Sequence, residues 1–453
     1  MTTLRYPHPG CAAWSQVYGE AAAWSSASAW NVNFNNGNVN NNHRNNNGFA
    51  LAVRRAGEFQ GAAEASLQSL FNAWRRARRQ KVPSRNQLRF DTDWMCNLLQ
   101  LQREIQGERW APRPSTCFIA TRPKAREIHA PDFADRVVHH WLVPQLEAIY
   151  EPTFIHDSYA NRKGKGSHAA VRRAQAFARQ VHSGQGGGWY LQLDVHNFFN
   201  QIHRPTLWAM LRKRLERAQA PHLVQRTAHA LLRRSPLHAG FQLRATPAEL
   251  TMVPAHKRLA DAPPGRGLPI GNLSSQFFAN VYLDALDQFC KHTLRARRYI
   301  RYVDDFVLFH ENRDVLASWL PRIEHFLAER LQLRLKPDIR LRQLTDGLDF
   351  LGYVIRPTHT LARRRVVGHA RQALAEWEGQ HVRGDRIRCT PAQLEHVQCR
   401  VASYGGHLRH ASSYRLRRAL RHRFPWLTTA LVRRRFPVAR RGRAITLRIR
   451  RNA

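Results

Sequence analysis

Acidic residues are scarce in this chain. Its 453 residues hold 32 Asp and Glu against 72 Lys and Arg, a formal net charge of +40. The excess is spread along most of the length, so the natural partner is a polyanion, bound through counterion release from phosphates. Long apolar runs are missing too, and without one to span a bilayer a membrane is not the expected partner. Met1 to Gly10 is polar and the Ala/Trp/Ser stretch behind it is too mixed for a signal peptide, so a cytoplasmic location is expected. The six cysteines, Cys11, Cys96, Cys117, Cys290, Cys389 and Cys399, contain no C-x-x-C pair, which argues against a zinc site and fits free thiols in a reducing compartment. With 43% hydrophobic residues the chain can still build two or three packed subdomains.

What is present centres on Tyr299-Ile300-Arg301-Tyr302-Val303-Asp304-Asp305-Phe306-Val307-Leu308-Phe309, two adjacent carboxylates inside a β-branched and aromatic run. The run reads as two buried strands with the aspartates at the tip of a hairpin. Carboxylates in such surroundings are costly unless a charge compensates them, and Mg²⁺ suits hard oxygen ligands. A surface turn that happens to hold Asp-Asp is the plain alternative. Trp189 to Val195 is an alternating strand carrying Asp194 at its end, followed by Phe198-Phe199; an aspartate there is often only a helix cap. Strand pairing alone can bring it to Asp304.

Other segments have the same double character. Trp30 to Asn47 is Asn-dominated and expected to be looped or disordered. Helices are expected over 58–79, 93–106, 134–150, 277–289 and 323–331. Phe118-Ile119-Ala120 and Pro123 to Ile128 read as two strands about a basic turn, with Lys124 and Arg126 on one side where they can clamp a phosphate chain. Ser158 to His168 is a Gly-rich loop with Arg162, Lys163 and Lys165; it lacks Walker spacing and suits a nucleic-acid backbone. Gly267 to Gln276, GLPIGNLSSQ, is a tight loop opening an apolar helix, where Asn or Ser can cap. Gly347 to Ile355 is a strand pair with a glycine at its turn. Residues 370–453 read as helical and Arg-rich with a break at Ser403 to Leu408, and 433–451 as a polycationic arm or tail.

The order of these blocks resembles a reverse transcriptase: strand-Asp194, GLPIGNLSSQ, YVDD, then FLGY, preceded by PKAREI and SYANRKGKGSH. The likeness is close from Asn97 to Arg356 and looser beyond. It implies an α+β right-hand polymerase: a helical segment over 58–115, fingers and palm over 116–356, a helical thumb over 357–430 and a basic tail over 431–453. It implies a nucleotidyltransferase in which Asp194, Asp304, Asp305 and the Val195 carbonyl hold two Mg²⁺ ions, Mn²⁺ being the alternative. Lys124 and Arg126 would bind the incoming dNTP, Phe199 would exclude a ribose 2′-OH, Ile270 would lie beside the nascent base pair, and Gly271 and Gln276 would belong to the same nucleotide site. Arg162, Lys163 and Lys165 would hold nucleic acid, and Leu351, Gly352 and Tyr353 would grip the primer end. The usual Lys after the Pro of LRLKPDIR is missing; Lys336 and Arg340 are the two alternatives for the proton donor to pyrophosphate, and the sequence assigns neither. No acidic cluster suggests an RNase H domain.

GLPIGNLSSQ is similar to the form in reverse transcriptases of diversity-generating retroelements, bacterial or phage-encoded, which copy a template RNA with errors at adenines. The Asn-rich stretch WNVNFNNGNVNNNHRNNNGFALAVR resembles the end of the variable proteins those elements diversify, so residues 1–57 read as a translated template repeat. Template RNA, primer, cDNA and a small basic oligomeric accessory protein are the partners this implies. A group II intron or retron enzyme, and an RNA-binding or splicing protein with a vestigial polymerase site, are the alternatives.

Overall fold

The computed structural model describes residues 28–32, 39–43, 64–79, 82–121, 124–182, 187–432 and 444–449. Strands β1 (Ser28–Val32) and β2 (Val39–His43) pair antiparallel. The Asn-rich segment therefore holds eight residues of paired strand where loop or disorder is expected; backbone ladder bonds outweigh the poor strand propensity of Asn. The rest of 1–57 lies outside the described residues.

Helices Leu67–Arg78, Arg85–Thr92 and Trp94–Gln106 follow, the first two capped by Ser66 and Ser84. They pack with the helix Phe133–Tyr150 through Leu70, Trp74, Leu98, Leu101, Val138 and Trp141. Strands β3 (Ser115–Ala120) and β4 (Arg126–Ala130) form the expected antiparallel pair. After β5 (Trp189–Asp194), the short β6 (Phe241–Leu243) joins β3 in parallel.

The central sheet is antiparallel throughout, ordered β7-β8-β5-β9, from β7 (Arg298–Tyr302), β8 (Asp305–His310) and β9 (Arg340–Gln343). Alternation divides its side chains between two cores. Leu191, Leu193, Tyr299, Phe306 and Leu308 face the helices Leu273–Gln288 and Arg313–Leu331. Tyr190, Ile300, Val307 and Phe309 face the helix Ser167–His182 and the hairpin of β10 (Leu348–Phe350) and β11 (Tyr353–Ile355). With helices on one face and a helix plus hairpin on the other, the ends of β5 and β8 are held rigidly. Each fully buried Leu or Phe contributes about 1.5–3 kcal/mol. Both helices flanking the sheet start earlier than the sequence suggests, at Leu273 and Arg313; Asn312 caps the second by accepting from the Asp314 N–H at 2.7 Å.

β12 (Thr360–Ala362) extends the β10-β11 hairpin, and the helices Arg364–His381, Pro391–Arg409 and Tyr414–Arg423 follow. The expected break at Ser403 to Leu408 does not occur: the helix Pro391–Arg409 runs through Gly405 and Gly406. A Thr390–Gln393 capping box fixes its start, and buried Leu394, Val397 and Leu408 anchor it, outweighing about 1 kcal/mol per internal glycine. Nor is the C-terminal basic stretch only a tail. β13 (Val382–Arg383) and β14 (Arg386–Cys389) form a sheet whose third strand is β15 (Ile445–Arg448), with Leu447 buried beside Ile387. Ile445 and Leu447 alternate with exposed Thr446 and Arg448, so one face enters the core while the polar side chains stay in water. Among the described residues no helix is long and apolar enough to cross a membrane.

Histidines join this C-terminal part to the rest. His407 stacks on Tyr353 at 4.2 Å and His410 on His168 at 3.7 Å, and the Tyr353 hydroxyl donates to the His407 carbonyl at 2.9 Å. Burial, then neighbouring His410 and His407, push His168 down to about 4; burial also lowers His407 and His410. A histidine whose folded value is depressed binds its proton first in the unfolded chain. Its contribution is intact above the unfolded value near 6.5 and is lost as pH falls toward the folded value. Thermal unfolding of the full chain is therefore expected to move to lower temperature between about pH 6.5 and 4. His168→Gln should flatten part of that slope, and an identical slope in the variant would count against the junction as its source.

Candidate active site

Asp194 ends β5 directly opposite Asp305 in the β5–β8 ladder, and the Val195 N–H donates to the Asp304 carbonyl at 3.2 Å. Strand pairing thus brings together carboxylates more than a hundred residues apart. The turn between β7 and β8 is Val303-Asp304, with Val303 at φ 57°. A positive φ at the first of two hairpin positions normally belongs to glycine, and a β-branched residue held there stores on the order of 1–3 kcal/mol.

The strained corner is held by Arg301, which is fully buried. Its Nη1 donates to the Val303 carbonyl at 3.0 Å, its Nε and Nη2 each reach an Asp287 oxygen at 2.7 Å, and Nη2 also reaches Ser158 Oγ at 3.1 Å. The Tyr299 hydroxyl donates to Asp287 at 2.7 Å. One guanidinium therefore links the catalytic turn, the apolar helix Leu273–Gln288 and the start of the Gly-rich loop.

The carboxylates carry more negative charge than the protein offsets. Burial, then the charge of Asp194, push Asp304 up to about 6. Burial pushes Asp305 up to about 8 despite a 3.2 Å hydrogen bond from Gln192 Nε2. Lys336 Nζ makes a short ion pair with Asp194 Oδ2, while Asp194 Oδ1 is buried with no partner among the described residues. An orphaned carboxylate oxygen beside two carboxyls whose ionisation is disfavoured by burial and mutual repulsion is a donor set that fits divalent cations.

Cations gather on the fingers side. Lys124 lies just before β4 and Arg126 opens it. Burial, then Lys336, Arg126, Lys257 and Arg365, lower the Lys124 ammonium. Five positive side chains crowded together call for a polyphosphate. Phe199 is half-buried in the short helix Phe198–Gln201, and its carbonyl accepts from Leu268 N–H at 2.8 Å, tying it to the GLPIGNLSSQ loop. That loop is clamped to β4: the His129 N–H donates to the Ile270 carbonyl at 2.8 Å. Gly271 has φ 122°, and a Cβ there would stand 3.0 Å from the His129 carbonyl oxygen and from Ile128 Cγ2. No larger residue fits this approach. Behind it, His129 Nε2 and Glu127 Oε1 hydrogen-bond at 2.6 Å. Gln276 is half-buried in the first turn of the following helix. Asn272 stands at that helix's cap position but makes no cap bond, and its Oδ1 is buried without a partner among the described residues.

Several expected nucleic-acid contacts fall elsewhere. Arg162 is turned inward, paired with Glu151 at 2.8 Å and donating to the Ile155 and Ser158 carbonyls. Its charge is spent on holding the loop. Lys165 donates to the His156 carbonyl at 2.9 Å and lies over the Tyr159 ring, whereas Lys163 is exposed. Tyr353 is fully buried and Leu351 nearly so, because the hairpin packs on the helix Ser167–His182 and on His407. Gly352, at φ 90°, has its carbonyl bonded by the Arg363 N–H at 3.1 Å. Arg340 is paired with Asp338, leaving Lys336 as the residue that reaches the carboxylates. Sequence reasoning missed Arg301, Asp287 and Gln192. A polar residue two before Asp194 and a cation inside the apolar strand before YVDD were the available signals.

The family model of reverse transcriptase (RNA-dependent DNA polymerase) matches residues 119–355. Protein YkfC of Escherichia coli K12 is 23% identical over 59% of this chain and 73% of its own length. The group II intron-encoded protein LtrA of Lactococcus lactis subsp. cremoris is 25% identical over 41% of this chain, which spans only 27% of LtrA. Among solved structures, apo telomerase from Candida tropicalis truncated from its C-terminal domain aligns with 55% of each chain at 11% identity and a TM-score of 0.42. The matched segment covers just over half of the sequence and contains Asp194 and Asp305 paired in one antiparallel sheet, with Asp304 in the turn beside them: this chain belongs to the reverse transcriptase family of RNA-directed DNA polymerases.

Proposed function

We propose that the chain is the error-prone polymerase of a diversity-generating retroelement, copying a template-repeat RNA into cDNA with errors at adenines. The observation that carries the polymerase part is Asp194 facing Asp305 in register, with Arg126 and Lys336 near enough to act on Asp304 and Lys124 beside them. Asp194, Asp304 and the Val195 carbonyl would hold two Mg²⁺ ions, or Mn²⁺, with Asp305 beside them. Bound there, the ions would favour the ionised primer hydroxyl and offset charge on the departing pyrophosphate. Lys124 and Arg126 would hold the triphosphate of the dNTP, and Phe199 would close the space a 2′-hydroxyl needs. Lys336 Nζ, next to Asp194, is the proton donor to pyrophosphate on this reading, because Arg340 is engaged by Asp338. Lys163 would touch the nucleic-acid backbone.

The retroelement part rests on Ile270, on GLPIGNLSSQ and on the Asn-rich segment. An aliphatic side chain beside the nascent pair cannot check it by hydrogen bonding. Ile270→Gln is expected to lower misincorporation opposite template adenine by roughly tenfold, the equivalent of about 1.4 kcal/mol. Sequencing of cDNA from the two enzymes reads this directly, and an unchanged error spectrum would remove Ile270 from the account. The wider reading is tested in the flanking DNA: a near-copy of the Asn-rich coding stretch, differing mainly at adenines, should lie in a neighbouring gene, and none there would sink it. A small basic accessory protein is expected beside it. The second reading, an intron-type enzyme, is favoured by the identity with LtrA.

A further inference from the structure

A second cleft lies where the helix Trp94–Gln106 ends against the helix His222–Arg233, lined by none of the strands that carry the aspartates. Its volume is about 440 Å³, the size of a site for one nucleotide-sized ligand. Its buried lining is made by apolar Ile105, by Trp110 and by Thr227, whose hydroxyl is taken up by the Leu223 carbonyl. Its rim carries exposed Arg109, Arg226, Arg233 and Arg234. Glu108 takes up Arg226 at 3.0 Å, together with His222. Arg109, Arg233 and Arg234 make no ion pair among the described residues. Trp110 is 5% exposed, yet its Nε1 has no acceptor among the described residues. A buried indole N–H without a partner costs free energy that a ligand acceptor would return.

The combination has a chemical meaning. Guanidinium groups in an arc match phosphate oxygens, often two at a time. A lining with an indole and one unpartnered N–H donor matches a nucleobase that offers a carbonyl or ring nitrogen. Single-stranded RNA presents both, because its unstacked bases can be splayed into protein pockets. We propose that this cleft holds one splayed nucleotide of a single-stranded RNA segment, its base on Trp110 and Thr227 and its flanking phosphates on Arg109, Arg233 and Arg234. It is an RNA anchor separate from the polymerising centre. The RNA-copying reading supplies the identity of the polymer, and the test measures binding without dNTPs, so a failure to polymerise would leave it interpretable.

The measurement is fluorescence anisotropy of the full chain with a labelled, unstructured single-stranded RNA across a salt series. Arg233→Ala with Arg234→Ala, both exposed, is expected to weaken binding on the order of tenfold. The double variant should also reduce the salt slope by about 1.4, near 0.7 for each lost phosphate contact. Trp110→Phe keeps an aromatic face, smaller than the indole, and removes the N–H; it should weaken binding severalfold with the slope unchanged. Extension of a short saturating primer–template should stay at the wild-type rate in all variants, which also reports on folding. RNA carrying a photoreactive 4-thiouridine should crosslink to the peptide holding Trp110. Unchanged affinity and slope in the double variant, with no crosslink there, would overturn the proposal. So would loss of binding to a labelled poly-glutamate peptide alone, which would assign the cleft to an acidic protein.

Discussion

Asp194→Asn and Asp304→Asn should each lower cDNA synthesis by at least about a thousandfold, equivalent to some 4 kcal/mol of transition-state stabilisation. The amide keeps the shape of the carboxylate and removes its charge. Hard divalent cations discriminate on that charge, and electrostatic stabilisation of a phosphoryl transfer depends on them. The fold should not suffer. Three carboxylates crowd the end of the sheet, burial already pushes Asp304 and Asp305 up to about 6 and 8, and Asp194 Oδ1 has no partner among the described residues. Neutralising one of them relieves repulsion, so thermal stability is expected to hold or rise slightly. Asp305→Asn should cost less activity, because Gln192 already occupies one of its oxygens. The measurement is primer extension on an RNA template with Mg²⁺, paired with RNA-binding isotherms. Undiminished extension by either of the first two variants would end the polymerase reading, and binding without any extension in the wild type would favour the vestigial-site alternative.

How far residues alone lead to this site depends on how local the physics is. Asp304 and Asp305 stood out because charges between Tyr302 and Phe306 contradict an apolar strand, and the contradiction is visible within ten residues. The fingers strands followed from Phe118 and Ile128 about a basic turn. Arg162 and Lys124 looked alike, each a cation in a loop. What separates them is Glu151, which captures Arg162, and no periodicity reports a carboxylate arriving from the preceding helix. Tyr353 fits the motif of a primer grip, but only the packed hairpin shows its ring buried on His407. Gly405-Gly406 read as a break because propensity is a local quantity, whereas the helix is held by Leu394, Val397 and Leu408 from the far side of a core. The positive φ of Val303 had no signal at all, since valine is the residue least expected there.

That strain points to Arg301, whose replacement is the other change expected to have a large effect. Arg301→Met leaves Asp287 buried without its counter-charge and should destabilise the chain by about 3–5 kcal/mol. Loss of activity in such a variant would be uninformative by itself. A triple variant separates the two roles: Arg301→Met, Asp287→Leu and Tyr299→Phe replace the buried ion pair and its hydroxyl partner with apolar groups. Buried pairs exchanged in this way are often neutral or stabilising, so thermal unfolding should return close to the wild-type midpoint. Activity should not return with it. The Val303 carbonyl would have lost the 3.0 Å hydrogen bond that holds the corner in its left-handed conformation, and Asp304 follows directly on it. A misplacement of the order of 1 Å at such a point costs about a hundredfold in rate. The expected pattern is a fall in kcat with little change in KM for dNTP, because Arg126 opens a strand of a different sheet and Lys124 lies just before it. Full kcat in the refolded triple variant would show that Arg301 serves stability alone and that Val303 keeps its conformation unaided.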